Sequence, residues 1–387
     1  MNPPTQPLRV LHLNSLLTGG GTDDQCVKLA GELHKLGHRV WLAGPSERLF
    51  SPVIAELGVP FFDTGAKASR VQFILRAARF IRREKIQIVH GHHGRDLWPT
   101  IMAARIAGTK PTLVLTRHMA KSPSSWASRN FLLSQCDALI AVSEFTAKVL
   151  REGAYEPESP EEERHVRLPI RGDFSKIHII QGGVDVAKFR PAETSQKRRE
   201  LGLDAEQYAF AVVGGFDLPR GKGQREYLAA AARVHKEIPN ARFLIVGRGS
   251  MAEILKSDIA RLSLGEKARL TGQVSDVPQV MNAIDCLVHP QIGTEALGLV
   301  ICEAHACGKP VIASALDGIP EAFAAGARGK LVAQENVDEL AQAMRCQALE
   351  PKPTSLEAAQ MHERVAAKFS LAVMAEKTVR LYLQLLH

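Results

Sequence analysis

The sequence predicts an α/β protein built from two doubly wound domains, and three observations support this prediction. From Arg9 onward, short aliphatic and β-branched runs alternate with amphipathic helical stretches, as they do when helices connect parallel strands. The alternation breaks after Gly153 and restarts near Tyr208. The chain also has 387 residues, which is more than one core usually organises. We therefore expect two domains that face a cleft.

The expected strands form two groups, one on each side of the break. The first group is RVLHLNS, RVWLAG, IQIVHGH, TLVLTRH and DALIAVS; the second is YAFAVVGGF, RFLIVGRG, RLTGQV, CLVHP and PVIASA. One further strand is expected at the start of IHIIQGGVDVAKFRP, within the break. The segment AYEPESPEEERHVRLPIRGDF between them has an acidic run, a basic run and no periodicity, which indicates a loop. We expect an N-terminal domain over 1–182, a second domain over 183–365 and a helix over 366–387, with a kink near Phe369 and Ser370.

The composition narrows the functional classes. Apolar residues make up 45% and charged residues 23% of the chain, which is ordinary for a folded globular protein. Aromatic residues make up only 5%, so a stacking surface for single-stranded nucleic acid is not expected. The net charge of +8 favours an anionic partner, such as a phosphorylated metabolite or a membrane surface.

The chain contains six cysteines but no Cys-x-x-Cys pair, so we expect reduced cysteines in the core. The N-terminal segment MNPPTQPLRVLHLNS is short and polar, unlike a secretory signal. An apolar run of about 18 residues, as a membrane span requires, is not found. These features predict a cytoplasmic enzyme.

The most informative feature is a pair of glutamates in TEALGLVICEAHACGKPVIAS. Glu303 lies in a predicted helix from Leu299 to Cys307 whose other residues are mostly apolar, with Gly308 as its stop signal. Such a helix is buried, and a buried glutamate requires a partner or a ligand. Glu295 precedes the helix and follows a strand, where ligands bind in open α/β sheets. We therefore expect both carboxylates to belong to a binding site.

Two loops have residue types that suit a phosphate. Gly19, Gly20 and Gly21 precede a helix, so their amide groups can approach an anion at the positive helix end. A tight turn explains three glycines equally well, because neither G-x-G-x-x-G nor a Walker motif is present. The loop DLPRGKG places Arg220 and Lys222 after another strand, where cations suit a diphosphate. A solvated basic loop is the alternative there.

The histidines form two groups. His90, His92 and His93 close one strand at a spacing that metal ligands can have, but only one carboxylate and no cysteine lie nearby, so no metal site is predicted. His118 ends the next strand, at the edge where ligands bind. It is a candidate for donating a hydrogen bond or handling a proton, with a structural role as the alternative.

The segment RVQFILRAARFIRREK predicts an amphipathic helix. Gln72, Arg76, Arg79 and Arg83 lie along one side of it, and Val71, Ile74, Ala78 and Ile81 along the other. The apolar side of such a helix usually packs on its own sheet. A second interpretation is peripheral contact of the helix with anionic lipid headgroups on the inner face of the cytoplasmic membrane.

Taken together, these motifs resemble those of the retaining family-4 glycosyltransferases, which have the GT-B fold of two Rossmann-like domains. The most specific block is EALGLVICEAHACGKPVIASALDGIPE, with Glu295 and Glu303 as its Glu-x7-Glu motif. The block follows Lys222 and Gly223 in the expected order. The other matching segments are GGGTDDQCVKLAGEL, LVLTRH, DALIAVSEFTAKVL, IHIIQGGVDVAKFRP, VVGGFDLPRGKG, RFLIVGRGS and ARLTGQV.

The resemblance implies a hexosyl-type glycosyltransferase that moves a sugar from a nucleotide-diphosphate sugar to an acceptor and retains the anomeric configuration. It implies no bound metal and no cofactor besides the nucleotide-sugar co-substrate. The acceptor would be a sugar, a lipid or a glycolipid in cell-envelope or polysaccharide synthesis. The resemblance further implies that the C-terminal helix crosses back to the N-terminal domain.

The resemblance also implies residue roles. Glu303 would hold the ribose and Glu295 the donor sugar, while Lys222 would neutralise the diphosphate. His118 would lie near the reacting centre. The remaining donor-binding groups would be Gly20 and Gly21 of the N-terminal domain, Arg220, and the backbone amides of Ala296, Leu297, Gly298 and Leu299.

The chain departs from the family pattern in three places. An arginine usually follows the strand before the Lys-Gly loop, but here residues 214–216 are Gly-Gly-Phe, and Arg220 is the candidate substitute. The usual Glu-Gly-Phe-Gly is Glu-Ala-Leu-Gly at 295–298. The charged segment 156–171 resembles an insertion, either part of an acceptor site or a surface loop. Other hypotheses are a nucleotide-sugar epimerase or hydrolase, and a non-catalytic nucleotide-sugar-binding protein.

Overall fold

A computed structural model describes residues 6–45, 51–65, 68–153, 168–219 and 221–387. The chain forms two compact units, Met1–Gly183 with Leu371–His387, and Val184–Ser370, which we call the N-terminal and C-terminal domains. The first boundary falls one residue after the predicted 182. The second falls at 370 and not at 365, because the helix that contains residue 366 continues to Phe369.

The N-terminal domain contains a seven-stranded parallel sheet with the strand order β3-β2-β1-β4-β5-β6-β7. The short strand β3 was not predicted. The sheet is buried on both faces: Leu11 and Leu13 pack on one side, and Val10 packs on the other. The strands are β1 (Arg9–Leu13), β2 (Arg39–Gly44), β3 (Phe61–Asp63), β4 (Ile88–Gly91), β5 (Thr112–Arg117), β6 (Ala138–Ala141) and β7 (Ile177–Ile179).

Helices cover both faces of this sheet. Local sequence signals explain where they begin: Ser69 and Gln72 form a capping box at the start of α3, and the Ser143 hydroxyl caps α6. The helices of the N-terminal half are α1 (Gly21–Lys35), α2 (Ser51–Glu56), α3 (Arg70–Arg83), α4 (Leu97–Ala107), α5 (Trp126–Gln135) and α6 (Glu144–Glu152).

The C-terminal domain contains a six-stranded parallel sheet with the order β10-β9-β8-β11-β12-β13. Strand β13 was not predicted, because three of its four residues are not buried and its pattern is weak. The strands are β8 (Tyr208–Val213), β9 (Ala241–Val246), β10 (Ala268–Gly272), β11 (Cys286–His289), β12 (Val311–Ser314) and β13 (Gly329–Val332). The helices are α7 (Ser195–Glu200), α8 (Gln224–Glu237), α9 (Ala252–Arg261), α10 (Val277–Ala283), α11 (Leu299–Ala306), α12 (Ile319–Gly326), α13 (Val337–Leu349) and α14 (Ser355–Phe369).

The last helix, α15 (Leu371–Leu386), belongs to the N-terminal domain. Helix α14 ends at Phe369, and Ser370 is extended and forms a parallel bridge with Val184. The predicted kink lies at this break. Helix α15 then packs against α1, and its Tyr382 is fully buried in the core. The implied return of the C-terminal helix is therefore present in the structure.

Each sheet has one point where the strand order reverses. In the N-terminal domain this switch point lies between β1 and β4, and in the C-terminal domain it lies between β8 and β11. All pairs in both sheets are parallel, so the carboxyl ends of β1 and β4 meet at one edge, as do those of β8 and β11. Ligands of doubly wound sheets bind at such switch points.

Three surface predictions can be compared with the structure. Helix α3 buries Ala78 and Ile81 as predicted, but Val71, expected on the apolar side, is 64% exposed because it lies in the first turn, away from the core. Five cysteines are buried, whereas Cys346 is exposed on α13, contrary to the prediction. Among the described residues, the helices are all too short or too polar to span a bilayer.

Candidate active site

Lys222 and Glu295 form an ion pair at the switch point of the C-terminal domain. Lys222 lies in the loop after β8, and Glu295 lies in the loop after β11. The Lys222 Nζ is 2.9 Å from the Glu295 Oε2. Their side chains are 34% and 18% exposed, so the pair is partly shielded and still accessible to a ligand. The structure thus brings together two residues that the sequence predicted for one site.

Glycines allow the two loops to approach each other. Gly223 has φ of +81°, and a Cβ atom there would lie 1.9 Å from the carbonyl oxygen of Pro290. No other residue fits at such a position. The buried side chain of Gln224 accepts a hydrogen bond from the Lys222 amide and donates one to the Gly215 carbonyl. These contacts fix the Lys222 loop against the segment that leads to Glu295.

The electrostatics of the pair are dominated by burial and by opposite charge. Burial alone would raise the pKa of Glu295, but the Lys222 ammonium and the His289 side chain outweigh it and hold the pKa well below its usual value. His289 is fully buried on β11, with its Nε2 3.7 Å from the Glu295 Oε2. Burial lowers the pKa of His289, and Lys222 adds to this effect against the attraction of Glu295. At neutral pH, Glu295 is therefore a carboxylate next to a neutral imidazole.

The loop from Glu295 to α11 presents backbone donors beside the ion pair. Gly298, at φ +83°, begins the helix. The Asp317 carboxylate accepts the Glu295 amide, and the Gly318 amide donates to the Glu295 carbonyl. Within the described part of the chain, the next amides have no hydrogen-bond acceptor, which suits them to bind oxygen atoms of a ligand at a helix N-terminus. These amides belong to Ala296, Leu297, Gly298 and Leu299.

The structure shows the position of Glu303 but does not describe Arg220. Glu303 lies one turn into α11 and is partly buried, as predicted for a carboxylate on this apolar helix. It belongs to the same strand-helix-strand unit as Glu295. The predicted helix from Leu299 to Cys307 is observed, with Cys307 as its C-cap. Arg220 lies outside the described residues.

The glycine loop lies at the switch point of the other domain. Gly20 has φ of +106°, and a Cβ atom at Gly20 or Gly21 would meet nothing within 4 Å, so Gly20 is explained by its conformation and not by crowding. Asp23 accepts hydrogen bonds from the Gly19 amide and the Asn14 side chain. The Asp23 carboxylate therefore already occupies the N-terminus of α1. Gly20 and Gly21 are the part of the loop with open space beside them.

Four histidines also gather in the N-terminal domain, although they come from three strands. The His12 Nδ1 lies 2.8 Å from the His92 Nε2, and the His92 Nδ1 lies 3.3 Å from the His118 Nε2. His90 contacts the Tyr382 hydroxyl of α15 at 2.6 Å. Burial, together with neighbouring positive groups, lowers the pKa of His118 to about 3. The cluster is therefore uncharged at neutral pH.

The three histidines that lie together in the sequence, His90, His92 and His93, are not the set that the fold gathers. The His93 Nδ1 accepts the Arg95 amide in a turn, and His12 takes its place beside His90 and His92, with one nitrogen from each within 4.8 Å of the others. The nitrogens of His12 and His92 are 2.8 Å apart. Two nitrogens on one tetrahedral zinc would be about 3.3 Å apart, given zinc–nitrogen bonds of about 2.0 Å. A hydrogen bond explains this contact better than shared coordination.

Comparison with protein-family models finds a match in each of the two domains. Residues 19–161 match the model of glycosyltransferase family 4, and residues 207–348 match that of glycosyl transferases group 1. These matches cover most of both domains. The chain belongs to the family-4 glycosyltransferases.

One curated relative and two solved structures are similar to this family-4 glycosyltransferase. The D-inositol 3-phosphate glycosyltransferase of Mycobacterium marinum is 29% identical over 291 residues, which cover 70% of this chain and 57% of that protein. The chain thus spans less than three fifths of that curated relative.

The solved structures are a glycosyltransferase from Rickettsia africae and Anabaena HepE in complex with UDP. The first has a TM-score of 0.81 and 21% identity over 98% of this chain and 99% of that one. The second has a TM-score of 0.79 and 19% identity over 97% of this chain and 100% of that one. Their similarity shows that the fold is of the GT-B type.

Sequence reasoning missed several groups of this family-4 glycosyltransferase. His289 was visible only as part of the strand CLVHP, and His12 as part of RVLHLNS. A polar residue in a strand that is otherwise buried was the available signal for both. Asp317 and Gln224 had no signal, because their contacts join loops that are distant in the sequence.

Proposed function

We propose that the protein is a retaining glycosyltransferase that takes a sugar from a nucleotide-diphosphate donor. The observation that carries this proposal is the Lys222–Glu295 ion pair beside the free amides that begin α11. A carboxylate, a cation and a helix N-terminus at one switch point suit a ligand that has both hydroxyl groups and phosphates.

The proposed roles follow from charge. Departure of the nucleoside diphosphate leaves growing negative charge, which the Lys222 ammonium would stabilise. Glu295, ionised at neutral pH, would face the sugar as it becomes oxocarbenium-like, and the amides of 296–299 would bind its hydroxyl groups. Glu303 would hold the ribose hydroxyls, and His118, Gly20 and Gly21 would act from the N-terminal domain.

We further propose that transfer retains the anomeric configuration and requires no metal. Lys222 supplies the positive charge that a divalent cation provides in other phosphate-transferring sites. Glu295 is not assigned as a nucleophile, because its pairing with Lys222 lowers its basicity. The leaving phosphate would instead assist deprotonation of the acceptor on the same face of the sugar.

The comparisons suggest which substrates to test first. HepE was solved with UDP, which favours a uridine-diphosphate sugar as donor. The curated relatives are named for inositol 3-phosphate, an anionic acceptor that fits a chain of net charge +8. A lipid or glycolipid acceptor in cell-envelope or polysaccharide synthesis is the second choice. It would match peripheral contact of α3 with anionic lipids, since Arg79, Val71 and Leu75 are exposed there.

A donor screen followed by product analysis tests the proposal. Uridine-, guanosine- and adenosine-diphosphate sugars are added to the full chain, and the one that binds should raise the melting temperature. NMR of the product made from that donor, with inositol 3-phosphate or a lipid acceptor and with EDTA present, should show the donor's anomeric configuration. Free sugar or an epimerised donor would indicate a hydrolase or an epimerase. Binding with no turnover on any acceptor would indicate a non-catalytic protein and contradict the proposal.

A further inference from the structure

A chain of hydrogen bonds runs from His118 into the core of the N-terminal domain through three imidazole rings. The His118 Nε2 contacts the His92 Nδ1 at 3.3 Å, and the opposite nitrogen of His92 contacts the His12 Nδ1 at 2.8 Å. The last nitrogen of the chain, His12 Nε2, is buried and has no hydrogen-bond partner in the described part of the protein. The chain therefore has one closed end, in the core, and one end at His118.

All three rings carry a single proton each at neutral pH. Burial lowers the pKa of His12 and of His118 to about 3, and it lowers that of His92 well below its usual value. A neutral imidazole has one N–H donor and one acceptor nitrogen. Each contact in the chain requires one donor and one acceptor, so the proton position on one ring determines the positions on the other two.

Only two arrangements satisfy both contacts. In the first, His12 donates from Nδ1 to His92, which donates from Nδ1 to the His118 Nε2. In the second, all protons lie on the Nε2 atoms, so His118 donates to His92 and His92 donates to His12. The second arrangement leaves a buried N–H on His12 without an acceptor, whereas the first leaves only a buried lone pair. Orphaned buried donors are the rarer and more costly case.

We infer that His92 and His12 are positioning residues that hold His118 in the tautomer with its proton on Nδ1. In this state His118 presents an N–H donor from its second nitrogen, which has no hydrogen-bond partner among the described residues and belongs to a partly exposed side chain. The donor would bind an oxygen of the sugar or of the acceptor; this last step rests on the proposed function. Removal of the orienting partner of a functional histidine typically lowers activity.

His90 provides a matched comparison within the same cluster. It is equally buried, and its ring lies against that of His92 with a centroid separation of 4.1 Å and a tilt of 32°. Its nitrogens, however, contact Thr116 Oγ1 and the Tyr382 hydroxyl, both at 2.6 Å. His90 therefore contacts the His92 ring but takes no part in the hydrogen bonds of the chain, so a change there should leave the proton positions unaltered.

The test is a long-range ¹H–¹⁵N NMR spectrum of the full chain labelled with ¹⁵N-histidine at neutral pH, without substrate. The His118 signals are identified by their loss in His118→Gln. We expect the proton on Nδ1 and an unprotonated Nε2; a His118 proton on Nε2, or an unbiased mixture, would overturn the inference. Because the tautomer is observed in the wild-type protein, this result does not depend on whether His12→Asn folds.

Two variants then test the residues behind His118. His12→Asn keeps a polar atom near His92 but can either donate or accept, so His118 should become a mixture of tautomers, and kcat should fall about tenfold with a smaller change in KM. His90→Gln should leave the His118 tautomer unchanged. An unchanged tautomer in a folded His12→Asn protein would remove His12 from the role. The spectra require no sugar transfer, so an inactive protein with the expected tautomer would contradict only the proposed function.

Discussion

The two switch points of this protein have the same topology and opposite chemistry. At the edge between β8 and β11, a lysine and a carboxylate 73 residues apart form a charged pair beside free helix amides. At the edge between β1 and β4, His12 and His92, 80 residues apart, form a neutral hydrogen-bonded contact. Both edges result from the same parallel strand order.

The two chemistries suit two kinds of ligand group. Fixed charge at the C-terminal switch point suits a diphosphate, whose charge grows as the sugar departs. Neutral imidazoles at the N-terminal switch point suit hydroxyl groups, which require a donor or an acceptor of defined direction and no net charge. A substitution at one switch point should therefore leave the other intact.

The largest effect is expected from Lys222→Met. The substitution removes the charge proposed to face the diphosphate and leaves Glu295 without its cation, so kcat/KM for the donor should fall at least about 100-fold. Lys352→Met is the matched control, because Lys352 also pairs with a carboxylate, Asp285 at 2.8 Å, but at the amino end of β11. Steady-state kinetics and donor calorimetry provide the measurement. Equal donor affinity in the wild type and Lys222→Met would contradict the assignment.

The second effect concerns the glycine that joins the two loops of the charged site. In Gly223→Ala, the new Cβ would clash with the Pro290 carbonyl, so the Lys222 loop must move and kcat/KM should fall at least about tenfold. Gly272→Ala is the control, since Gly272 also has a positive φ, of +74°, but its Cβ would meet nothing within 4 Å. It should cost about 1 kcal/mol of stability and leave donor affinity unchanged. Similar kinetics for both variants would argue against the loop contact.

The third effect is a pH dependence of the N-terminal domain. The pKa of His12 is about 3 in the folded state and about 6.5 when unfolded, so the unfolded chain binds the extra proton and stability falls as the pH decreases below 6.5. Between pH 7.5 and 5.5, His12 alone should account for about 1.4 kcal/mol. All three tryptophans, Trp41, Trp98 and Trp126, lie in this domain, so their fluorescence during urea unfolding reports on it.

His12→Asn should reduce this pH dependence by about the same amount, even if the variant is less stable overall. The remaining dependence comes from the other histidines of this domain whose pKa values burial lowers, which are His38, His90, His92, His118 and His178. Thr100→Val, which changes a buried polar residue of the same domain that does not titrate, is the control and should leave the slope unaltered. An identical slope in the wild type and His12→Asn would show that His12 is not a buried neutral group.

The smallest effect is expected at the surface, where the proposed membrane contact lies. Arg79→Gln removes one exposed charge from α3 and should weaken binding to anionic phospholipid vesicles by about 1 kcal/mol, or about fivefold. Arg199→Gln removes an exposed charge from α7 of the C-terminal domain and should have no effect. Flotation assays at low and high salt measure this difference. Equal flotation of the two variants would remove α3 from the proposal.

Local patterns were sufficient for most of the architecture. The strands that were missed, β3 and β13, are short and poorly buried, so their hydrophobic signal was weak. The end of the C-terminal domain was placed too early because α14 and α15 have the same helical periodicity, and only the extended Ser370 separates them. The exposed Val71 shows that amphipathic spacing does not decide how far the first turn of a helix reaches the core.

The same distinction between local sequence patterns and tertiary contacts applies to the candidate site. By itself, the sequence determined that Glu295, Lys222 and His118 follow parallel strands, because apolar runs and their stop signals are local properties of the chain. Only the tertiary structure decided which of these residues meet. The pairing of β1 with β4 brought His12 to His92, and the contact of Gly223 with Pro290 brought Lys222 to Glu295. Periodicity has no information about strand order, so contacts between distant segments arise only when the whole sheet is assembled.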